Sequence, residues 1–84
     1  MIGMLAVSKA GHDRGTAYVI TGEEDEYVYL ADGQSKTVDR PKKKNKKHIQ
    51  VIKKIQLDEP VNGFKDLEIK RAIKTYQEGA NVKS

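Results

Sequence analysis

The stretch "MLAVSKAGHDRGTAYVI", Met4 to Ile20, decides how the rest of the chain is read. Its first half ends a β-prone run from Gly3 to Ser8, "GMLAVS", in which alternation puts Leu5 and Val7 on one face. Its second half opens "TAYVITG", rich in β-branched and aromatic residues and therefore strand-like. Between them "KAGHDRG" reads as a loop, with Gly11 and Gly15 at the positions that need positive φ or close backbone approach. The stretch is strand, glycine-bounded loop, strand.

Working outward, an acidic turn from Glu23 to Glu26 joins "TAYVITG" to "YVYLA", so the two strands form a hairpin. Alternation places Tyr27 and Tyr29 on one face of the later strand and Val28 and Leu30 on the other. The Asp32-Gly33 pair signals a tight primed turn, which predicts that "QSKTV" returns antiparallel to "YVYLA". After a basic run, "HIQVI" supplies a fifth strand with Ile49 and Val51 in alternation. Five short strands within about 50 residues predict a small antiparallel barrel, because closure removes exposed edges.

Beyond Ile55 the period changes. "QLDEPVNG" carries Pro60, Asn62 and Gly63 and reads as a connector. "FKDLEIKRAIKTYQEG" places Ile69, Ala72, Ile73 and Tyr76 on one helical stripe, with Gly79 as its expected end. Lys65, Asp66, Glu68, Lys70, Arg71 and Lys74 form its exposed side, with Asp66 and Lys70 as an i,i+4 pair. A lone helix of this length is marginal in water, so it is expected to dock on the barrel or on a partner. The predicted organisation is a barrel over 1–54, a linker over 55–63, a helix over 64–79 and a tail over 80–84.

At 84 residues the chain is bounded to one small domain, too short to enclose a large catalytic pocket easily. It has no cysteine, which removes disulfides and thiolate metal sites and leaves packing as the stabiliser. Neither a metal, a cofactor nor a small-molecule substrate is expected. The N-terminus is apolar for only a few residues without a preceding basic one, and no stretch approaches the roughly 20 apolar residues of a membrane span. A monomeric cytoplasmic protein is the expectation.

The joint run "SKAGHDRG … YVYLADG … PKKKNKKHIQ" carries a resemblance. Met4 to Ile20 looks like a KOW motif, the loop-and-strand signature of small SH3-like barrels in ribosomal proteins and transcription elongation factors. With the downstream segments, the chain is similar to bacterial KOW-domain RNA-binding proteins related to a large-subunit ribosomal protein of archaea and eukaryotes. The likeness covers residues 3–52, and "DLEIKRAIKTY" resembles the C-terminal segment of the bacterial group. It implies a five-stranded SH3-like barrel that binds RNA, ribosomal RNA in the first instance. The pattern carries over to Ser8, Gly11, Gly15 and Val19, and to the polar loop residues Lys9 and His12 to Arg14. Thr16 departs from it, standing where related sequences commonly have a basic residue.

The chain's charge sharpens the same reading. Net charge is +4, yet Arg40 to Lys47 hold six basic residues and no acid, so the remainder carries about −2. That run, Arg40, Lys42, Lys43, Lys44, Lys46 and Lys47 with Asn45, is expected to be a loop anchored by strands at both ends that grips phosphates. A solvated loop and a nuclear address are the weaker readings, since charge alone does not separate them. Lys9, His12 and Arg14 on the first loop are expected to face it as the other wall of a cradle, with Lys36 and His48 as further contacts.

His12 beside Asp13 lacks the companions of an acid–base site, so His12 is read as a surface residue. His48 either touches RNA or merely starts a strand. Tyrosines in so small a barrel mostly cover the core, and Tyr29 is the one reserved for base stacking. The acidic turn repels phosphate and is expected to lie away from the RNA side. A non-catalytic RNA-binding protein associated with ribosomes or translation is the leading expectation. The rival is a protein-binding adaptor whose contact is the helix stripe at Ile69, Ile73 and Tyr76.

Overall fold

The computed structural model describes residues 1–82, and side chains through Gly79. Five strands form one antiparallel sheet: β1 (Met4–Ser8), β2 (Ala17–Glu23), β3 (Tyr27–Ala31), β4 (Lys42–Asn45) and β5 (Ile49–Gln56), in the order β4-β3-β2-β1-β5. A helix, α1 (Asp66–Val82), follows. The protein is thus mainly β with one C-terminal helix, as expected.

Alternation gives the sheet two apolar faces. One row runs Ile52, Leu5, Val19, Ala31 across four strands, and it belongs to a cluster with Phe64 and with Ile69, Ala72 and Ile73 of α1. The helix stripe read from the sequence is therefore buried against the chain's own sheet, with Ile69 fully enclosed. That surface is not available to an adaptor's partner in this conformation. The opposite face gathers Ala6, Tyr18, Ile20, Val28, Leu30 and Ile49 into a second cluster. Ala6, Ile20, Val28 and Leu30 are fully buried there while α1 packs on the other cluster, which requires the sheet to curl over its own side chains.

Two register shifts support the curl, one in the β1–β5 pairing at Met4/Leu5 and one in the β2–β3 pairing at Ile20/Gly22. A three-residue 3-10 turn, Lys46–His48, connects β4 to β5, so the outermost strands meet at one corner. Ladders join neighbours in the order above and none joins β4 to β5.

The predicted strand "QSKTV" does not form. A primed turn at Asp32-Gly33, of either type, needs positive φ at Asp32, and only Gly33 has it (φ 81°). Instead Asp32 Oδ1 accepts from the amides of Gln34 (2.8 Å) and Lys36 (2.9 Å), making a side-chain-closed turn. Val38 N–H then donates to Asp66 Oδ1 at 2.9 Å rather than to a ladder. Asp66 is thus engaged by the backbone of another segment rather than serving simply as Lys70's i,i+4 partner. The strand that pairs with β3 is the lysine run itself, with Tyr29 opposite Lys43 and Val28 opposite Lys44.

Gly33 also decides how closely α1 docks. A Cβ placed there would lie 2.4 Å from the Asp66 carbonyl oxygen and 2.5 Å from Lys70 Cγ, inside any tolerable contact.

Three boundaries move. β5 continues to Gln56, and Leu57 N–H still donates to Gly3 O at 2.8 Å, so the sheet does not stop at 54. Phe64 is a core residue ahead of the helix rather than part of it. α1 runs through Gly79, which lacks the positive φ of a C-terminal cap, and takes in residues 80–82 of the expected tail. The tail's last two residues, 83 and 84, lie outside the described residues.

Candidate nucleic-acid interface

The loop between β1 and β2 is closed by its own backbone. Gly15 N–H donates to Ser8 O at 2.8 Å, Ser8 N–H to Thr16 O at 3.0 Å, and Thr16 N–H to Asp13 O at 2.9 Å. Gly11 (φ 85°) and Gly15 (φ 90°) occupy the left-handed region, as their positions predict. This folding turns Asp13 inward while Lys9, His12 and Arg14 stay exposed.

Asp13 is the centre of a polar cluster. Its Oδ1 accepts from Lys44 Nζ at 2.7 Å and from Ser8 Oγ at 2.9 Å, and its Oδ2 accepts from Tyr18 Oη at 2.8 Å. Lys42 Nζ lies 3.1 Å from Oδ2. Lys44 Nζ also donates to the Ala10 carbonyl at 2.8 Å, so it pins the loop at two points. The Asp13 side chain is 13% exposed and that of Lys44 is 9% exposed, so the pair is largely withdrawn from water.

Burial pushes the Asp13 carboxyl up, but the hydrogen bonds from Lys44, Tyr18, Lys42 and Ser8 more than offset it and hold the carboxyl well below the usual carboxylate range. Burial and the Asp13 charge push the Tyr18 phenol up. The cluster keeps the anion at neutral pH, and every polar side-chain atom buried among the described residues has a partner.

The basic run therefore divides by parity. In β4, Lys42 and Lys44 sit opposite Leu30 and Val28 and share their inward side, where both pair with the single Asp13 carboxylate. Lys43, opposite Tyr29, faces outward, and its ammonium lies 4.6 Å from the Tyr27 ring centroid. Lys46 Nζ donates to Glu23 Oε2 at 2.8 Å. Asn45 Oδ1 accepts from Lys47 N–H at 2.8 Å and caps the 3-10 turn. Arg40, Lys43, Lys47 and His48 are exposed, and among the described residues none of them enters an ion pair. The expected loop is thus a strand plus a turn, and three of its six cations are held in internal ion pairs.

The acidic turn does not lie away from this region. β4 runs antiparallel to β3, so its end returns to the hairpin tip: Asn45 pairs with Tyr27, and Lys46 N–H donates to Glu26 O at 2.9 Å. Lys46 and the N-terminal ammonium both lower the Glu23 carboxyl, Lys46 the more strongly. Tyr29 gives its hydroxyl to Glu24 and packs its ring against Gly22, where an added Cβ would meet Tyr29 Cδ2 at 3.1 Å. Tyr27, 38% exposed, is the open ring of the pair.

The glycine-bounded loop and the lysine segment are brought together. Besides the Asp13 cluster, Lys9 N–H donates to His48 O at 2.8 Å, so the start of one meets the end of the other. Lys9, His12, Arg14, Arg40, Lys43, Lys47 and His48 are the outward cations and imidazoles of these two segments. Lys36 stands apart, on the turn that Gly33 docks against α1.

Sequence reasoning passed over Asp13 and Tyr18 as site residues. The missing signal was parity: once 42–45 is a strand, Lys42 and Lys44 share a face and need an anion, and Asp13 is the acid between the two loop glycines. No protein-family model matches the chain, and a search of the curated proteins finds no match.

Proposed function

We propose that this chain is a non-catalytic RNA-binding module. On this reading the curled sheet is an SH3-like barrel of the KOW kind, and it holds structured ribosomal RNA on the surface formed by the glycine-bounded loop and the β4 segment. The observation that carries the proposal is the Asp13 cluster. It joins the basic β4 segment to the glycine-bounded loop and uses only the inward lysines to do so. The outward side chains are left for phosphates, whose contacts need ordered cations that lose little freedom on binding. Tyr27 beside Lys43 adds a ring on which a base can stack.

The test is RNA affinity as a function of salt. Arg40→Gln, Lys43→Gln and Lys47→Gln together should lower the slope of log K against log salt by about 2 to 3, at 0.7 to 0.9 per lost phosphate contact. An unchanged affinity and slope with a ribosomal RNA transcript would overturn the reading. Cosedimentation with ribosomes, and its loss in the same variant, would place the protein in translation. The adaptor reading is less favoured, because Ile69 and Ile73 of α1 are buried against the chain's own sheet.

A further inference from the structure

We propose a second phosphate-binding bank in the groove between α1 and the glycine-bounded loop, extending the RNA footprint from β4 across that loop onto the helix. The inference rests on the RNA-binding reading above and assigns a role to cations outside it. The groove encloses about 660 Å³ and is walled by Gly15 and Thr16 on one side and by Lys70, Arg71 and Lys74 on the other. All three cations are exposed, and among the described residues none has an ion-pair partner. The acid in the lining, Asp32, has Oδ1 tied to the amides of Gln34 and Lys36.

Two features favour a nucleic-acid strand as occupant. First, the loop lies between both banks: Lys44 contacts it at Ala10 and Asp13, and Gly15 and Thr16 face the helix cations. Arg14, exposed and next to Gly15, adds a cation on the loop itself. A chain of phosphates crossing the loop therefore meets cations before, on and after it. Second, Leu67 on the groove wall is 56% exposed, giving apolar area beside the cations, a combination that suits a base with its phosphate. Thr16 also gains a context here: the basic residue absent after Gly15 faces a wall that α1 already supplies with charge.

The test compares Arg71→Gln/Lys74→Gln with the control pair Lys53→Gln/Lys54→Gln on β5, which is also exposed. Lys70 is left in place because its stem packs at Gly33. With a ribosomal RNA transcript as probe, the helix pair should lose roughly tenfold in affinity at moderate salt and lower the salt slope by about 1 to 2. The control pair should change little. Thermal midpoints should match wild type. On the unsubstituted protein, bound RNA should protect Lys70 and Lys74 from acetylation and leave Lys53 and Lys54 reactive.

Equal losses in both pairs, or acetylation of Lys70 and Lys74 undiminished by RNA, would overturn the second bank. If the Arg40/Lys43/Lys47 variant loses binding while the helix pair does not, only this inference falls. If the wild-type chain binds no RNA, both it and the RNA reading fall.

Discussion

Lys43 and Lys44 are adjacent in sequence and opposite in physical role. Lys44 is 9% exposed, hydrogen-bonded to Asp13 and Ala10 and packed inside the curl of the sheet. Lys43 stands in water over the Tyr27 ring. A strand's period of two turns a uniform lysine run into two populations, one that holds the protein together and one that is free to act on something else. Positive charge in a sequence is therefore not a count of ligand contacts.

The comparison predicts that its two sides fail differently, and the largest effect is expected at the anion. Asp13→Ala leaves the buried Lys44 ammonium without its counter-charge, with only the Ala10 carbonyl as acceptor, and breaking such a pair typically costs about 3 to 5 kcal/mol. For a domain of this size each kcal/mol lowers the melting midpoint by about 4 to 8 °C, so calorimetry should show a large drop or no transition. The double variant Asp13→Leu/Lys44→Met, apolar on both sides, should recover much of the loss. A midpoint for Asp13→Ala within a degree or two of wild type would refute the structural role of the cluster.

Acid reaches the same group by titration. The folded Asp13 carboxyl is held below its unfolded value of about 3.9, so it contributes its full stabilisation above that pH and loses it as pH falls toward the folded value. The difference in stability between wild type and Asp13→Asn should be flat from neutrality to about pH 5 and shrink below pH 4. A difference that instead shrinks between pH 8 and 6 would assign the titration to another group.

Gly33→Ala comes next, because the new methyl meets the Asp66 carbonyl at a positive φ. The expected loss is about 1 to 3 kcal/mol, with α1 displaced rather than the β4 region disturbed. Amide exchange should therefore quicken in α1 and stay slow at the Asp13 cluster.

What the sequence disclosed follows from periodicity. Strands β1, β2, β3 and β5 and the stripe of α1 each carry an apolar alternation or a 3.6-residue spacing, and each formed. β4 carries no apolar residue at all, so hydrophobic pattern was silent where the sheet is most charged. The Asp32-Gly33 pair then drew the missing strand to the wrong place, since the dipeptide does not reveal whether Asp32 takes positive φ or caps amides ahead of it. The site was legible as a set of segments, Lys9 to Gly15 and Arg40 to His48. Its internal sorting was not, because that depends on a contact between Asp13 and Lys44, 31 residues apart.

The smallest stability effect is expected on the outward side. Lys43→Gln and Lys47→Gln remove exposed charges that enter no ion pair among the described residues, so each should change stability by no more than about 0.5 kcal/mol. The approach of Lys43 to Tyr27 sets the upper end of that range, about 0.5 kcal/mol at an exposed site. Their effect should appear in the salt dependence of RNA binding instead. Lys44→Gln should show the reverse order, a lowered midpoint first and weaker RNA binding only through the loosened loop. If Lys43→Gln and Lys44→Gln lower the midpoint equally, the parity of β4 is wrong, and with it the division between lysines that build the surface and lysines that use it.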